Sequence, residues 1–263
     1  MATVIATANK KGGVGKTTTT MELAYLFGRE GKRVLAIDMD PQCGLTERSP
    51  ISTTRNHSIK EVLQGYIDTD DAIKKTAYYD IIPGNEDLDE DQSMYKEDNK
   101  ALKDIVGYLY DDYDIILIDA PPGNSILNSM IYLAANYLIV AVDGSPDALT
   151  GIAKMTVKIK QYKEAGKTDV AFIGSLMCNV NMAFGYPSKL YRDRYVELVR
   201  DIQPIIAAPP FKTYIRRSDK CGAASGYQMA INEYDDKCCA AIDYTNLIEE
   251  IRDRIYKLSG KEI

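Results

Sequence analysis

The run from Lys10 to Thr18, KKGGVGKTT, concentrates three glycines, three lysines and two threonines in nine positions. Such a stretch suits an anion. Gly12, Gly13 and Gly15 let the backbone fold into a nest whose N–H groups face a phosphate, because glycine alone reaches the needed dihedrals at low cost. Lys16 can then extend to the terminal phosphates of a nucleotide, Thr17 can set its hydroxyl on Mg2+, and Val14 and Thr18 complete the cradle. The general spacing GxxxxGK followed by Ser or Thr fails at its first position, where Lys10 replaces glycine. A glycine-rich turn of purely structural use is the alternative. Two carboxylates follow in AIDMDPQ, Asp38 and Asp40, and a third, Asp119, ends the apolar run of YDIILIDAPPG. The two-residue period of a strand points Asp38 and Asp40 to one side, where they can share work near a metal and an attacking water. Asp119 is suited to holding Mg2+ through water. An Asp at a strand exit is also a common turn former.

These groups need elements that bring them together. Short apolar runs, VIATA (4–8), RVLAI (33–37), IILI (115–118), LIVAV (138–142) and VAFIGSL (170–176), recur between longer helix-like segments. Continuous apolar strands buried on both faces, alternating with helices, predict an α/β fold: a doubly wound, mostly parallel sheet with helices on both faces. Helices are expected near 16–30, 58–64, 98–110, 125–135, 147–165, 187–201 and 243–258. Ligands of such sheets bind at the carboxyl edge, where the glycine run and the three aspartates would meet. Residues 86–98 carry seven acids against one lysine and suit a solvated loop or an exposed helix start. With no linker or repeat, 1–263 is expected to be a single domain.

The formal net charge of −6 argues against wholesale coating of nucleic acid and leaves room for a local basic patch. No stretch approaches the roughly 20 apolar residues of a membrane span. The sequence opens on a strand-like run and lacks a charged then apolar leader, so a cytoplasmic protein is expected. The five cysteines form no CxxC pair and His57 is the only histidine, a set that suits reduced thiols better than a metal site.

KGGVGKTT resembles the deviant Walker A motif of the ParA/MinD family of P-loop ATPases. The resemblance covers most of the chain, is sharpest in the first 45 residues and around 113–123, and is weak over 47–100. It implies ATP and Mg2+ as ligands, slow ATP hydrolysis, and a homodimer in the ATP state in which Lys11 reaches the partner's nucleotide. Physically, a second ammonium near the phosphates is costly unless a facing site supplies further negative charge; an ordinary exposed lysine is the alternative. The resemblance assigns Asp40 to orienting water, Asp38 to supporting Lys16 and the Mg2+ shell, and Pro121, Pro122 and Gly123 to a switch that senses the γ-phosphate. It also implies an adenine pocket from Asn179 and the Pro209–Pro210 pair, residues that otherwise simply form loops.

Residues 189–220 hold eight basic side chains against four acidic ones, a net +4, with tyrosines interleaved. FKTYIRRSDKCG sits where ParA-type partition proteins carry basic residues for nonspecific DNA, so Lys189, Arg192, Arg216, Arg217 and Lys220 are the expected DNA contacts. A solvated helix face explains the same charges. The resemblance thus implies a nucleoid-associated DNA segregation ATPase stimulated by a ParB-like partner. Three rivals share parts of the pattern. A MinD-like membrane-cycling regulator would need a basic amphipathic C-terminal helix, whereas 243–258 carries Asp243, Glu249, Glu250 and Asp253 opposite its apolar stripe. A reductase like nitrogenase iron protein needs a cysteine near Asp119, where Ala120 stands. A metabolic ligase such as dethiobiotin synthetase needs a second-substrate pocket that no motif indicates.

Overall fold

The computed structural model describes residues 1–52, 57–89, 100–123, 126–143, 145 and 147–263. The acidic stretch 86–98 lies mostly outside these, as do the first positions of the helices expected at 98–110 and 125–135. The chain opens with β1 (Thr3–Ala8), α1 (Lys16–Arg29) and β2 (Val34–Asp38), then passes through α2 (Gly44–Arg48), α3 (Ile59–Leu63) and α4 (Thr69–Ala72). A short strand β3 (Lys74–Lys75) leads to β4 (Asp80–Ile82), α5 (Ala101–Tyr108) and β5 (Ile115–Asp119). Next come α6 (Ile126–Ala134), β6 (Tyr137–Val142), α7 (Asp147–Glu164) and β7 (Ala171–Met177). A ribbon of β8 (Met182–Ala183) and β9 (Tyr186–Pro187) precedes α8 (Lys189–Glu197), α9 (Gln203–Ile206), α10 (Lys220–Gly226), α11 (Ile231–Tyr234) and the long α12 (Cys239–Ser259).

Seven strands form one sheet in the order β3-β4-β2-β5-β1-β6-β7, parallel throughout except for the β3–β4 edge pair. The five expected strands are its core, each within a residue of its expected start. Alternation divides their side chains between two faces. Val4, Ala6, Leu35, Ile37, Ile116, Ile118, Leu138 and Val140 pack with α5, α6 and α7, while Ile5, Ala36, Leu117, Ile139 and Ala141 pack with α1 and α12. Helices therefore cover both faces, as the unbroken apolar runs require.

The last helix starts four residues earlier than expected and buries Tyr244, Leu247, Ile248, Ile251 and Ile255 against Leu23 and Phe27 of α1. Each such side chain contributes about 1.5–3 kcal/mol. Leu258, at the end of the helix, is exposed. The acids read as its solvated face are partly employed: Asp243 is buried, and Glu250 accepts the backbone N–H groups of Lys212 and Thr213 at 2.9 and 3.0 Å.

Candidate nucleotide site at the carboxyl edge

The parallel register sets the site. Asp119, the last residue of β5, pairs with Asp38 at the end of β2 on one side and with Thr7 of β1 on the other. The glycine loop, residues 9–15, leaves β1 at the same edge and turns into α1. Asn9 anchors its start, donating from Nδ2 to Ala141 O at 2.7 Å and accepting the Lys11 N–H at Oδ1 at 3.2 Å. From the other side, Gly123 N–H donates to Lys10 O at 2.7 Å, so the Pro121–Gly123 segment abuts the loop. Gly15 caps α1 with φ 97°, and a Cβ there would lie 3.1 Å from Cys178 Cβ and 3.2 Å from its Sγ. Both the backbone and the space demand glycine.

Lys16 and Thr17 open α1 and face the aspartates. Lys16 is 5% exposed and donates to Lys11 O at 3.0 Å. Burial lowers its pKa, against the opposing pull of Asp119 and Asp40. Thr17 Oγ1 donates to Asp119 Oδ2 at 2.6 Å. The other Asp119 oxygen, Oδ1, is buried and has no hydrogen-bond partner among the described residues. Burial, with Asp38 beside it, raises the Asp119 pKa well above the usual carboxylate range. An orphaned carboxylate oxygen in a dry site costs about 1–3 kcal/mol or more, unless a proton or a cation answers it. A hydroxyl and a carboxylate oxygen side by side form a hard-oxygen donor set that fits Mg2+.

β2 ends at Asp38, and Asp40 stands two residues on, at the start of a turn through Pro41 and Gln42 that Cys43 N–H closes by donating to Asp40 O at 2.8 Å. Asp38 is fully buried and both its oxygens are taken: Oδ1 accepts Asp40 N–H at 3.1 Å, and Oδ2 accepts Thr46 N–H at 2.8 Å and Thr46 Oγ1 at 2.7 Å. Burial pushes its pKa up to about 6. Thr46 Oγ1 in turn accepts Gly84 N–H at 2.8 Å. Asp38, expected to support the metal shell, therefore acts first as the fastening of the 40–46 turn. Asp40, 8% exposed, accepts Gln42 N–H at 3.0 Å and stays close enough to Lys16 to raise its pKa. Gly44 brings α2 near Thr17, and Arg48 donates to Thr18 Oγ1 at 3.1 Å.

Lys11 is engaged within its own chain. Its ammonium donates to Asp143 Oδ2 at 2.6 Å and to Ser145 Oγ at 2.5 Å, just beyond β6. Burial pushes the Asp143 pKa up, but the hydrogen bonds from Lys11 and Ser145 outweigh it and leave it lowered.

The expected adenine contacts separate. Asn179 follows Cys178, which touches Gly15, and is exposed at φ 56° beside the loop. Pro210 is buried elsewhere. Its carbonyl accepts from Arg254 Nη2 at 2.7 Å, and the next residue, Phe211, donates its N–H to Ser175 O, four residues before Asn179. At about 3.3 Å per residue that is roughly 13 Å from the edge. Pro210 is thus a packing residue held under α12, which corrects its placement in the adenine wall.

The basic stretch also divides. Arg216 is clamped to α12: Nε and Nη2 donate to Asp243 at 2.8–3.1 Å, and Nη2 also donates to Cys239 O at 3.1 Å. Lys220 lies 3.6 Å from Asp235 and over the Tyr234 ring. Arg217 and Lys189 are exposed and, among the described residues, have no ion pair; Arg192 is exposed and donates to Pro187 O at 2.7 Å. Two of these elements hang on one turn. Tyr191 of α8 donates to Asn179 O at 2.6 Å, and Arg217 N–H donates to Val180 O at 3.0 Å.

Sequence reasoning missed Thr46, Gly84 and Asp143. Each works through a contact 8 to 132 positions away, which no local motif records. Asn9 alone carried a local sign, as the polar residue between strand and glycines.

A phosphate-cradling loop at the centre of a parallel sheet, with an acid at the tip of each neighbouring strand, defines a P-loop nucleotide-binding protein. The family model described as an AAA domain matches residues 2–172, and the chain belongs to that family. Within it the chain is a ParA/Soj-type P-loop ATPase of the ParA/MinD group. It is 28% identical over 262 residues to the chromosome-partitioning ATPase Soj of Treponema pallidum, covering 95% of this chain and 97% of the relative. Apo McdA of Cyanothece superposes with a TM-score of 0.84 at 19% identity, covering 97% of this chain and 100% of that one. Cobyrinic acid a,c-diamide synthase of Mycobacterium smegmatis, with bound ADP and magnesium, gives 0.81 at 25%, covering 100% and 98%. Among the described residues, no helix is long and apolar enough to cross a membrane.

Proposed function

We propose that this chain is a DNA partition ATPase that binds ATP with Mg2+, pairs into a nucleotide-containing homodimer, holds nonspecific DNA in that state and releases it on hydrolysis. The observation that carries the reading is the buried Asp119 Oδ1, left without a partner among the described residues, beside Thr17 and Lys16. Thr17 and Asp119 would hold Mg2+, which when bound offsets charge on the phosphates. The backbone of Gly12 to Thr18 cradles the phosphates, Lys16 exchanges the Lys11 carbonyl for a phosphate oxygen, and Asn179 borders the base. Asp38 fixes the turn that presents Asp40, and Asp40 orients the attacking water. Lys11 acts on the facing subunit's nucleotide.

With Asp40 only positioning water, intrinsic turnover is slow until a ParB-like partner completes the charge stabilisation. The DNA surface is centred on the 179–180 turn, with Arg217, Lys189 and Arg192 contributing; Arg216 and Lys220 serve the fold first. Phosphate contacts are sequence-independent, and a dimer doubles them, so the ATP state gates DNA retention. The full chromosome-partitioning name of the Treponema relative favours this reading over a metabolic one. The protein is then expected in the cytoplasm on the nucleoid.

Co-sedimentation with DNA and with anionic liposomes, under ATP, ADP or no nucleotide, tests the proposal. DNA retention with ATP alone is the expected result, lost in Lys16→Ala and prolonged in Asp40→Ala. Retention on liposomes, or on neither support, overturns it.

A further inference from the structure

Lys11 is engaged by two groups that the proposed cycle leaves unused. Asp143 and Ser145 follow β6, the strand next to β1, and Asn9 binds that strand at Ala141 O, so the root of Lys11 and the end of β6 are fixed to each other. The contact is closed on itself. Lys11 Nζ meets Asp143 Oδ2 and Ser145 Oγ at 2.6 and 2.5 Å, while Ser145 uses its own hydroxyl and N–H on Asp143 Oδ1 at 2.5 and 3.1 Å. Ser145 thereby holds the carboxylate aimed at the lysine. The Lys11 and Asp143 side chains are 29% and 22% exposed, so the pair can be opened from outside without unpacking the core.

We propose that Asp143, steadied by Ser145, is a positioning residue that latches Lys11 to its own subunit, and that subunit pairing trades this carboxylate for a phosphate of the facing nucleotide. The inference rests on the reading in which Lys11 acts across the dimer. Lys11 is held back on the end of its own β6, and reaching across to a facing nucleotide takes its ammonium off Asp143, so the latch competes with dimer formation, once in each subunit. It leaves phosphate binding within one subunit untouched, because Lys16 and the loop backbone reach the nucleotide without Lys11.

The test is the ATP-dependent dimer dissociation constant of the full chain by sedimentation velocity with Mg2+, beside the ATP affinity at monomeric dilution. Asp143→Asn is expected to tighten the dimer by about 2- to 30-fold, since two partly exposed ion pairs no longer have to break. ATP affinity of the monomer stays within about twofold, and Asp143→Glu restores the parent dimer constant. A merely structural role would not be rescued in this way. An unchanged or weaker Asp143→Asn dimer overturns the latch, the weaker one by placing Asp143 in a contact across the interface. Lys11→Ala, measured alongside, is expected to abolish ATP-dependent dimers; if it dimerises like the parent, the cross-subunit role of Lys11 itself fails.

Discussion

Arg216 and Arg217 are neighbours in sequence and opposites in the structure, so single substitutions at the two should fail in different ways. Arg216→Ala removes four side-chain hydrogen bonds, three to Asp243 and one to Cys239 O. What remains for the Asp243 carboxylate, whose side chain is 10% exposed, is the Arg216 backbone N–H at 2.9 Å. Charged hydrogen bonds contribute about 1.5–3 kcal/mol, and orphaning a fully buried ion costs about 3–5 kcal/mol. Water reaches this pair in part, because the Arg216 side chain is 31% exposed, so we expect about 2–3 kcal/mol. For a chain of this size that lowers Tm by about 5–10 °C. Arg217→Ala leaves its backbone bond to Val180 O intact and should change stability by no more than about 0.5 kcal/mol. It should instead weaken ATP-dependent DNA binding and reduce the salt slope by about 2, one phosphate contact per subunit. Thermal unfolding and a DNA titration across salt concentrations, run on both variants, read the two effects. If Arg216→Ala melts with the parent, the clamp is wrong; if Arg217→Ala keeps full DNA retention, the surface at the 179–180 turn is wrong.

Two buried carboxyls, Glu22 against Ile231 and Asn232 and Asp38 at the end of β2, should make stability fall as pH rises. The buried Glu22, pushed up to about 7, and Asp38, at about 6, have folded-state values above their unfolded ones, so the folded chain holds extra protons between about pH 4 and 7 and loses that advantage above. The nucleotide-free protein should melt lower at pH 8 than at pH 6, with a smaller difference in Glu22→Gln; a flat profile refutes the assignment. Gly84→Ala should destabilise the chain and impair ATP hydrolysis together, because its Cβ would sit 3.0 Å from Asp38 Cγ and 3.3 Å from Asp38 O; unimpaired turnover would detach Asp38 from the site.

The sequence carried the centre of this molecule better than its periphery, for physical reasons. Strands buried on both faces need unbroken apolar runs, so β1, β2, β5, β6 and β7 declared themselves, and the glycine loop did so because its backbone tolerates few other residues. The edge strand β3 and its neighbour β4 have two and three residues and little apolar periodicity to detect. Asp38 and Asp40 were found, but the fastening of Asp38 to Thr46 was not: a strand period speaks for an acid only while the strand lasts, and β2 ends before Asp40 and Thr46. Arg216 and Arg217 look alike as letters, and Asp243, 27 positions away from Arg216, decides which of them is available.

Asp38 ties three stretches into one mechanical unit. Its backbone belongs to β2, its side chain holds Thr46, and Thr46 holds Gly84, at the start of the connection leaving β4. Cutting either side-chain link, Asp38 to Thr46 or Thr46 to Gly84, therefore frees the 40–46 turn and the chain at Gly84 from each other, so the two stretches share one stability rather than two.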